Sequence, residues 1–163
     1  MTAAENPDVR QALELARTAQ ARFETTEAAA GKLGLNLERI KSGSEELLAR
    51  IHKGPGQGSV MWVLEIAGAM LTAVMAVSGE PVPVSDRVDP ASYAMSVLRD
   101  LSTAAGEKGL DFPLLEQAAA DCLQAAEADG YSNQEAFWAI NQATASCELA
   151  WARSLAGEQD NAR

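Results

Sequence analysis

An all-α bundle of five or six helices is what this sequence predicts, on three observations. No segment alternates apolar and polar residues as a half-buried strand does; the nearest, Val82-Pro83-Val84, is broken by proline. Alanine makes up about a fifth of the 163 residues, and alanine is the best helix former. Caps and stops recur along the chain at intervals that suit helices with short connections.

The first helix starts at Pro7, with Asn6 as its cap and the proline in its first turn. Val9, Leu13, Ala16, Ala19, Phe23 and Ala30 form a narrow stripe, and Arg10, Glu14, Arg17 and Glu24 fall off it. The run should stop between Gly31 and Gly34. Residues 1–163 read as a single helical domain. Within it, the thin alanine stripe and balanced charge of residues 1–35 suit a helix that lies loosely on the body or pairs with a second copy in a homodimer.

The second helix carries Leu37, Ile40, Leu47, Leu48 and Ile51. Two starts are open: Asn36 can cap it, and Ser42-Gly43-Ser44-Glu45 reads as a capping box. His52 and Lys53 suit its C-terminal turn, before Gly54-Pro55. Gly54 to Ser59 reads as a loop ending in an N-cap serine. It lacks the Gly-Lys-Ser/Thr ending of a phosphate-binding loop, and no strand precedes it.

From about 59 to 78 the chain is almost wholly apolar, with Glu65 its only charge. A helix apolar on every face belongs at the centre of a bundle. Its length also reaches the lower edge of a membrane span. A central carboxylate costs about 2.5–3.5 kcal/mol on insertion scales, and Gly68 with four alanines dilutes the hydrophobicity, so the buried reading is preferred to the membrane one.

Ser78 to Ser85 reads as an extended, proline-stiffened linker. Asp89-Pro90 opens a helix striped by Ala94, Val97, Leu98, Leu101 and Ala105. Asp111-Phe112-Pro113 opens the next, which faces inward through Leu115, Ala118, Ala119, Cys122 and Ala126 and stops at Asp129-Gly130. Ser132-Asn133-Gln134-Glu135 is a capping box for the last helix. That helix shows Phe137, Ile140, Thr144, Cys147 and Trp151 on one face, and Trp138, Ala145 and Leu149 on an adjacent one. Trp138 and Trp151 point about 140° apart at 100° per residue, so one can be core while the other stays at the surface.

Composition excludes some functions. The net charge is −10 and the isoelectric point about 4.5, so a nucleic-acid binder acting through a basic surface is excluded. Two cysteines and one histidine cannot make the usual four-ligand zinc site. With no Glu-x-x-His pair to suggest a carboxylate-bridged metal pair, no metal and no cofactor are expected. The first residues, Met1 to Pro7, carry no signal-peptide pattern, which points to the cytoplasm, where Cys122 and Cys147 are expected to be small buried thiols.

Charge is unevenly placed. Residues 1–53 hold eight acidic and eight basic side chains, and residues 54–163 hold fifteen acidic and five basic. The whole excess is therefore in the second part, and no Lys or Arg occurs within 111–135. The leading expectation is a non-enzymatic regulator, inhibitor or adaptor that docks a basic protein partner through Glu116, Asp121, Glu127 and Asp129. The alternative is a small-molecule binding protein or small enzyme with a pocket between helices. Glu65, Gly68 and Thr72 share one helix face, Trp62 would form a wall, and Glu65 would be a buried acid or base. Otherwise the strip would reach solvent through a gap, or Glu65 would pair with an arginine such as Arg50 or Arg99. His52 is a weaker candidate for acid–base work, because the helix dipole already accounts for its position.

Overall fold

The computed structural model describes residues 6–54, 57–83 and 89–161, without the side chains of 57 and 158–161. Pro55 and Gly56 of the expected loop, and Val84 and Ser85 of the expected linker, lie outside the described residues.

Six α-helices and no strand are found among the described residues. They are α1 (Pro7–Leu33), α2 (Leu37–Lys53), α3 (Val60–Val77), α4 (Pro90–Glu107), α5 (Phe112–Ala128) and α6 (Asn133–Asn161). A short 3₁₀ turn, Gln57–Ser59, leads into α3.

Local chemistry sets most of the helix starts. The Asn6 side chain accepts from the Asp8 amide at 2.8 Å, Asp89 from Ser92 at 3.0 Å and Asp111 from Leu114 at 3.2 Å, each satisfying a donor left open at a helix N-terminus. Ser132 and Glu135 form a reciprocal box: the Ser132 amide donates to Glu135 Oε1 at 2.9 Å, and the Glu135 amide to Ser132 Oγ at 3.1 Å. The ambiguity at α2 resolves in favour of Asn36, which accepts from the Arg39 amide at 3.2 Å. Ser44 is buried inside the helix and donates back to the Lys41 carbonyl.

Ser59 does not serve as the expected cap. The 3₁₀ turn leaves it at φ −138°, ψ 40°, and its side chain makes no capping bond. At the other ends, Gly34 stops α1 with φ 69°. This left-handed conformation lets the Leu35 amide reach back to the Ala30 carbonyl at 2.8 Å. Gly130 does the same after α5, and Tyr131 N bonds Ala126 O at 3.0 Å.

The core is built around α3, as its apolar composition requires. Val63, Leu64, Ile66, Ala67, Leu71 and Met75 are buried against Leu115, Ala119 and Cys122 of α5 and Ile140 and Ala143 of α6. Leu98 and Leu101 of α4 pack on the same cluster. Burial of each large aliphatic side chain contributes about 1.5–3 kcal/mol. Among the described residues α3 is one helix long and apolar enough to cross a membrane; here the other helices bury 44% of that stretch, and Val74 and Val77 stay exposed.

The last helix ties the bundle together, running along α1, α2 and α3. Arg22 meets Glu148 while Thr26 meets Asn141, so α1 and α6 are antiparallel. A second, smaller cluster of Ala30, Ile40, Trp138 and Ala139 joins α1, α2 and α6. Trp138 is the core tryptophan at 5% exposure, and Trp151 is exposed at 45%. The first described part of the linker is pinned: Asn133 donates to Glu80 Oε2 at 2.6 Å, Gln134 donates to the Pro81 carbonyl at 2.7 Å, and Val82 packs on the core. Gly43 permits close packing of α2 under Tyr131, where a Cβ would lie 3.0 Å from the ring.

Candidate functional site: a groove between α1, α3, α4 and α6

A groove of about 380 Å³ opens on one side of α3. Glu65, Gly68 and Thr72 line it, so the face read from the sequence is present. Gly68 is what leaves the space above α3: an added Cβ there would meet only Ile140, at 3.7 Å. Trp62 is not one of the lining residues. It lies one turn before Glu65 and packs against the central core, and Phe137 and Trp138 of α6 and Tyr93 of α4 stand as the aromatic walls instead. Phe137 and Trp138 meet edge to face, with centroids 5.2 Å apart.

Glu65 is not the buried carboxylate of the pocket reading; its strip reaches solvent, as in the other reading. The groove opens at its position, and the side chain is exposed at the mouth. Neither expected arginine pairs with it: Arg50 and Arg99 do not line the groove, and the arginine that does is Arg22 of α1. Arg22 is already engaged. Its Nε donates to Glu148 Oε1 at 2.7 Å and its Nη1 to Asn141 Oδ1 at 3.1 Å. Asn141 in turn donates to the Arg22 carbonyl at 3.2 Å and to Thr26 Oγ1 at 2.8 Å. Glu148 is buried at 6% exposure, and Thr26 is fully buried.

Three charged groups are thus gathered where α1, α3 and α6 meet. The protein around Glu65 removes part of its hydration and raises its pKa above the usual 4.5; Arg22 opposes the rise and Glu148 adds to it. The folded protein therefore holds the Glu65 proton more tightly than the unfolded chain does. Glu65 brings no penalty below about pH 4.5, and the full penalty acts only above its raised folded-state pKa. Glu65→Gln is expected to melt above the wild type at pH 7, with the gap closing on acidification to pH 4. Thermal melts of the two proteins at both pH values check this, and equal melting points at pH 7 would contradict it.

Sequence reasoning missed Arg22, Glu148, Asn141 and the Trp138 wall. A signal for the ion pair was present. Arg22 falls between Ala19 and Thr26 on the stripe of α1, and Glu148 falls between Ala145 and Ala152 on α6. Opposite charges at buried-face positions of two helices can pair.

The acidic residues are differently arranged. Glu116, Asp121 and Glu127 are exposed on α5, and Asp129 is exposed just beyond its end. Glu116 and Glu127 share a face, and Asp121 is turned about 140° from Glu116 and accepts from Gln117 at 2.9 Å. Asp129 lies among charges of both signs, Glu46 included. It lines an open cleft with Arg39, Arg50 and Lys53, and its carbonyl accepts from Arg39 at 3.3 Å. Arg39 also pairs with Glu135 at 2.9 Å and lies 4.0 Å over the Tyr131 ring.

His52 is exposed, with Nδ1 2.7 Å from the Leu48 carbonyl of its own helix. Both cysteines are free thiols, and burial raises the pKa of each, which makes them poor nucleophiles. Among the described residues no three His, Cys, Asp or Glu side chains gather as a metal site.

The fold and site define a six-helix bundle with an amphipathic groove beside its central helix. No known protein family, curated protein or solved structure matches the chain.

Proposed function

We propose that this protein binds a small molecule in the groove between α1, α3, α4 and α6. One observation carries the reading: a carboxylate that pairs with no cation among the described residues, Glu65, stands beside the Arg22–Glu148 pair in a groove lined for the rest by aromatic and aliphatic side chains, three threonines and Asn141. Polar groups set among aromatic and aliphatic walls in a concavity are the usual make-up of a ligand site.

The test is a small-molecule screen by thermal shift on the wild type and on Gly68→Leu, whose side chain fills the groove. Ligands should raise the melting point of the wild type and leave Gly68→Leu unmoved, since stabilisation follows occupancy. Ligands that shift both proteins equally, or no ligand at all, would defeat the proposal.

The second reading is a docking surface for a basic protein. The exposure of Glu116 and Glu127 on one face, with no ion pair among the described residues, favours it. It calls for a partner that salt releases and that reversal of Glu116 and Glu127 to lysine no longer holds. The cations beside Asp129 make that end of the surface less suited to it.

A further inference from the structure

We infer that the groove takes a small organic amine in its protonated form, with Glu65 as counter-ion and the Tyr93, Phe137 and Trp138 rings around its apolar body. The inference rests on the groove being a ligand site and names the class of ligand.

Its basis is an account of charges and donors. Arg22 and Glu65 are the charged side chains lining the groove among the described residues, and Glu148 lies behind Arg22. Two carboxylates against one guanidinium leave one negative charge. Arg22 spends its cation on Glu148, at 2.7 Å, so Glu65 is the carboxylate without an ion-pair partner among the described residues.

Most of the hydroxyl and amide donors are committed as well; Trp138 Nε1 is the exception, buried with no partner among the described residues. Thr25 donates to the Ala21 carbonyl at 2.7 Å, Thr72 to Gly68 at 2.8 Å and Thr144 to Ile140 at 2.9 Å. Both Asn141 amide protons are engaged with Arg22 and Thr26. The charge left unbalanced in the groove is therefore a carboxylate, which calls for a donor bearing positive charge. An anion would meet Glu65 and Glu148 with only a neutralised arginine to hold it, and a neutral ligand would displace water from the exposed Glu65 carboxylate without replacing it by a charge. Aromatic faces add attraction for an ammonium group. The partial loss of water that raises the Glu65 pKa also strengthens its pull on a cation.

The experiment compares three probes of one shape by titration calorimetry at pH 7.5: 2-phenylethylamine, 2-phenylethanol and phenylacetate. The amine should bind the wild type at least ten times more tightly than the alcohol, and phenylacetate should not bind. Glu65→Gln, checked for folding by circular dichroism, should weaken the amine at least tenfold and leave the alcohol unchanged. Raising the salt should weaken the amine alone. Equal affinity for amine and alcohol, tighter binding of phenylacetate, or an unchanged amine affinity in Glu65→Gln would each overturn the inference. If none of the three binds while ligands from the thermal-shift screen still occupy the groove, the amine is wrong and the groove stands. If the screen is empty too, both fall.

Discussion

Trp138→Ala is expected to lower the stability of this protein by about 3–5 kcal/mol, the range for removing a large buried aromatic side chain. The residue is 5% exposed and sits where α1, α2 and α6 converge on Ala30, Ile40 and Ala139. Two of these neighbours are alanines, which have no flexible side chains to fill the void, so the cavity should persist. Trp138→Phe provides the informative contrast. The indole Nε1 is buried with no hydrogen-bond partner among the described residues, and an unpaired buried donor costs about 1–3 kcal/mol. Removing that N–H offsets part of the lost ring, so Trp138→Phe should fall well short of the alanine variant. Urea unfolding of the three proteins measures both differences. Equal losses for Phe and Ala would show that the indole N–H is satisfied in solution.

Arg22→Ala is the second large effect, an expected loss of about 2–3 kcal/mol at pH 7. Breaking a buried ion pair costs about 3–5 kcal/mol, and the value is set lower because the Arg22 side chain remains 40% exposed. What is lost is the compensation of Glu148, which is left buried opposite Glu65 without a cation between them. The deficit should therefore shrink as acid protonates Glu65, whose pKa the fold raises. Arg22→Lys should recover only part of it, since one ammonium cannot reproduce the planar fork that reaches Glu148 and Asn141 together. Denaturant titrations at pH 7 and pH 4 check all three statements. A loss at pH 4 equal to that at pH 7 would point to packing rather than charge.

The helices were legible in the sequence to the extent that their signals are local. Asn6, Asp89, Asp111 and the Ser132–Glu135 box act within three residues of themselves, so the sequence shows both partners. Ser59 has the right identity for a cap, but the 3₁₀ turn that carries it depends on how the chain enters the core. The same limit governs the groove. Helical periodicity put Glu65, Gly68 and Thr72 on one face of α3. It could not say which helix lies opposite, because Arg22 and Glu148 are 126 residues apart and meet only through the packing of α1 on α6. Trp62 was misassigned for the same reason: its position along α3 is local, and the wall it would have formed is supplied by another helix. The acidic excess of the second part was countable, whereas the cations that α2 brings beside Asp129 were not.

The dependence of α1 on α6 also bears on how the chain is made. α1 touches α2 only slightly, and most of its packing is along α6. At about 5–20 residues per second of synthesis, the 126 residues between Arg22 and Glu148 take on the order of ten seconds to appear. For that interval the stripe containing Ala12, Ala19 and Phe23 has no partner on its own chain. Its dilution with alanine, which makes it a thin core stripe in the finished bundle, also leaves little for other nascent chains or chaperones to grip while it waits.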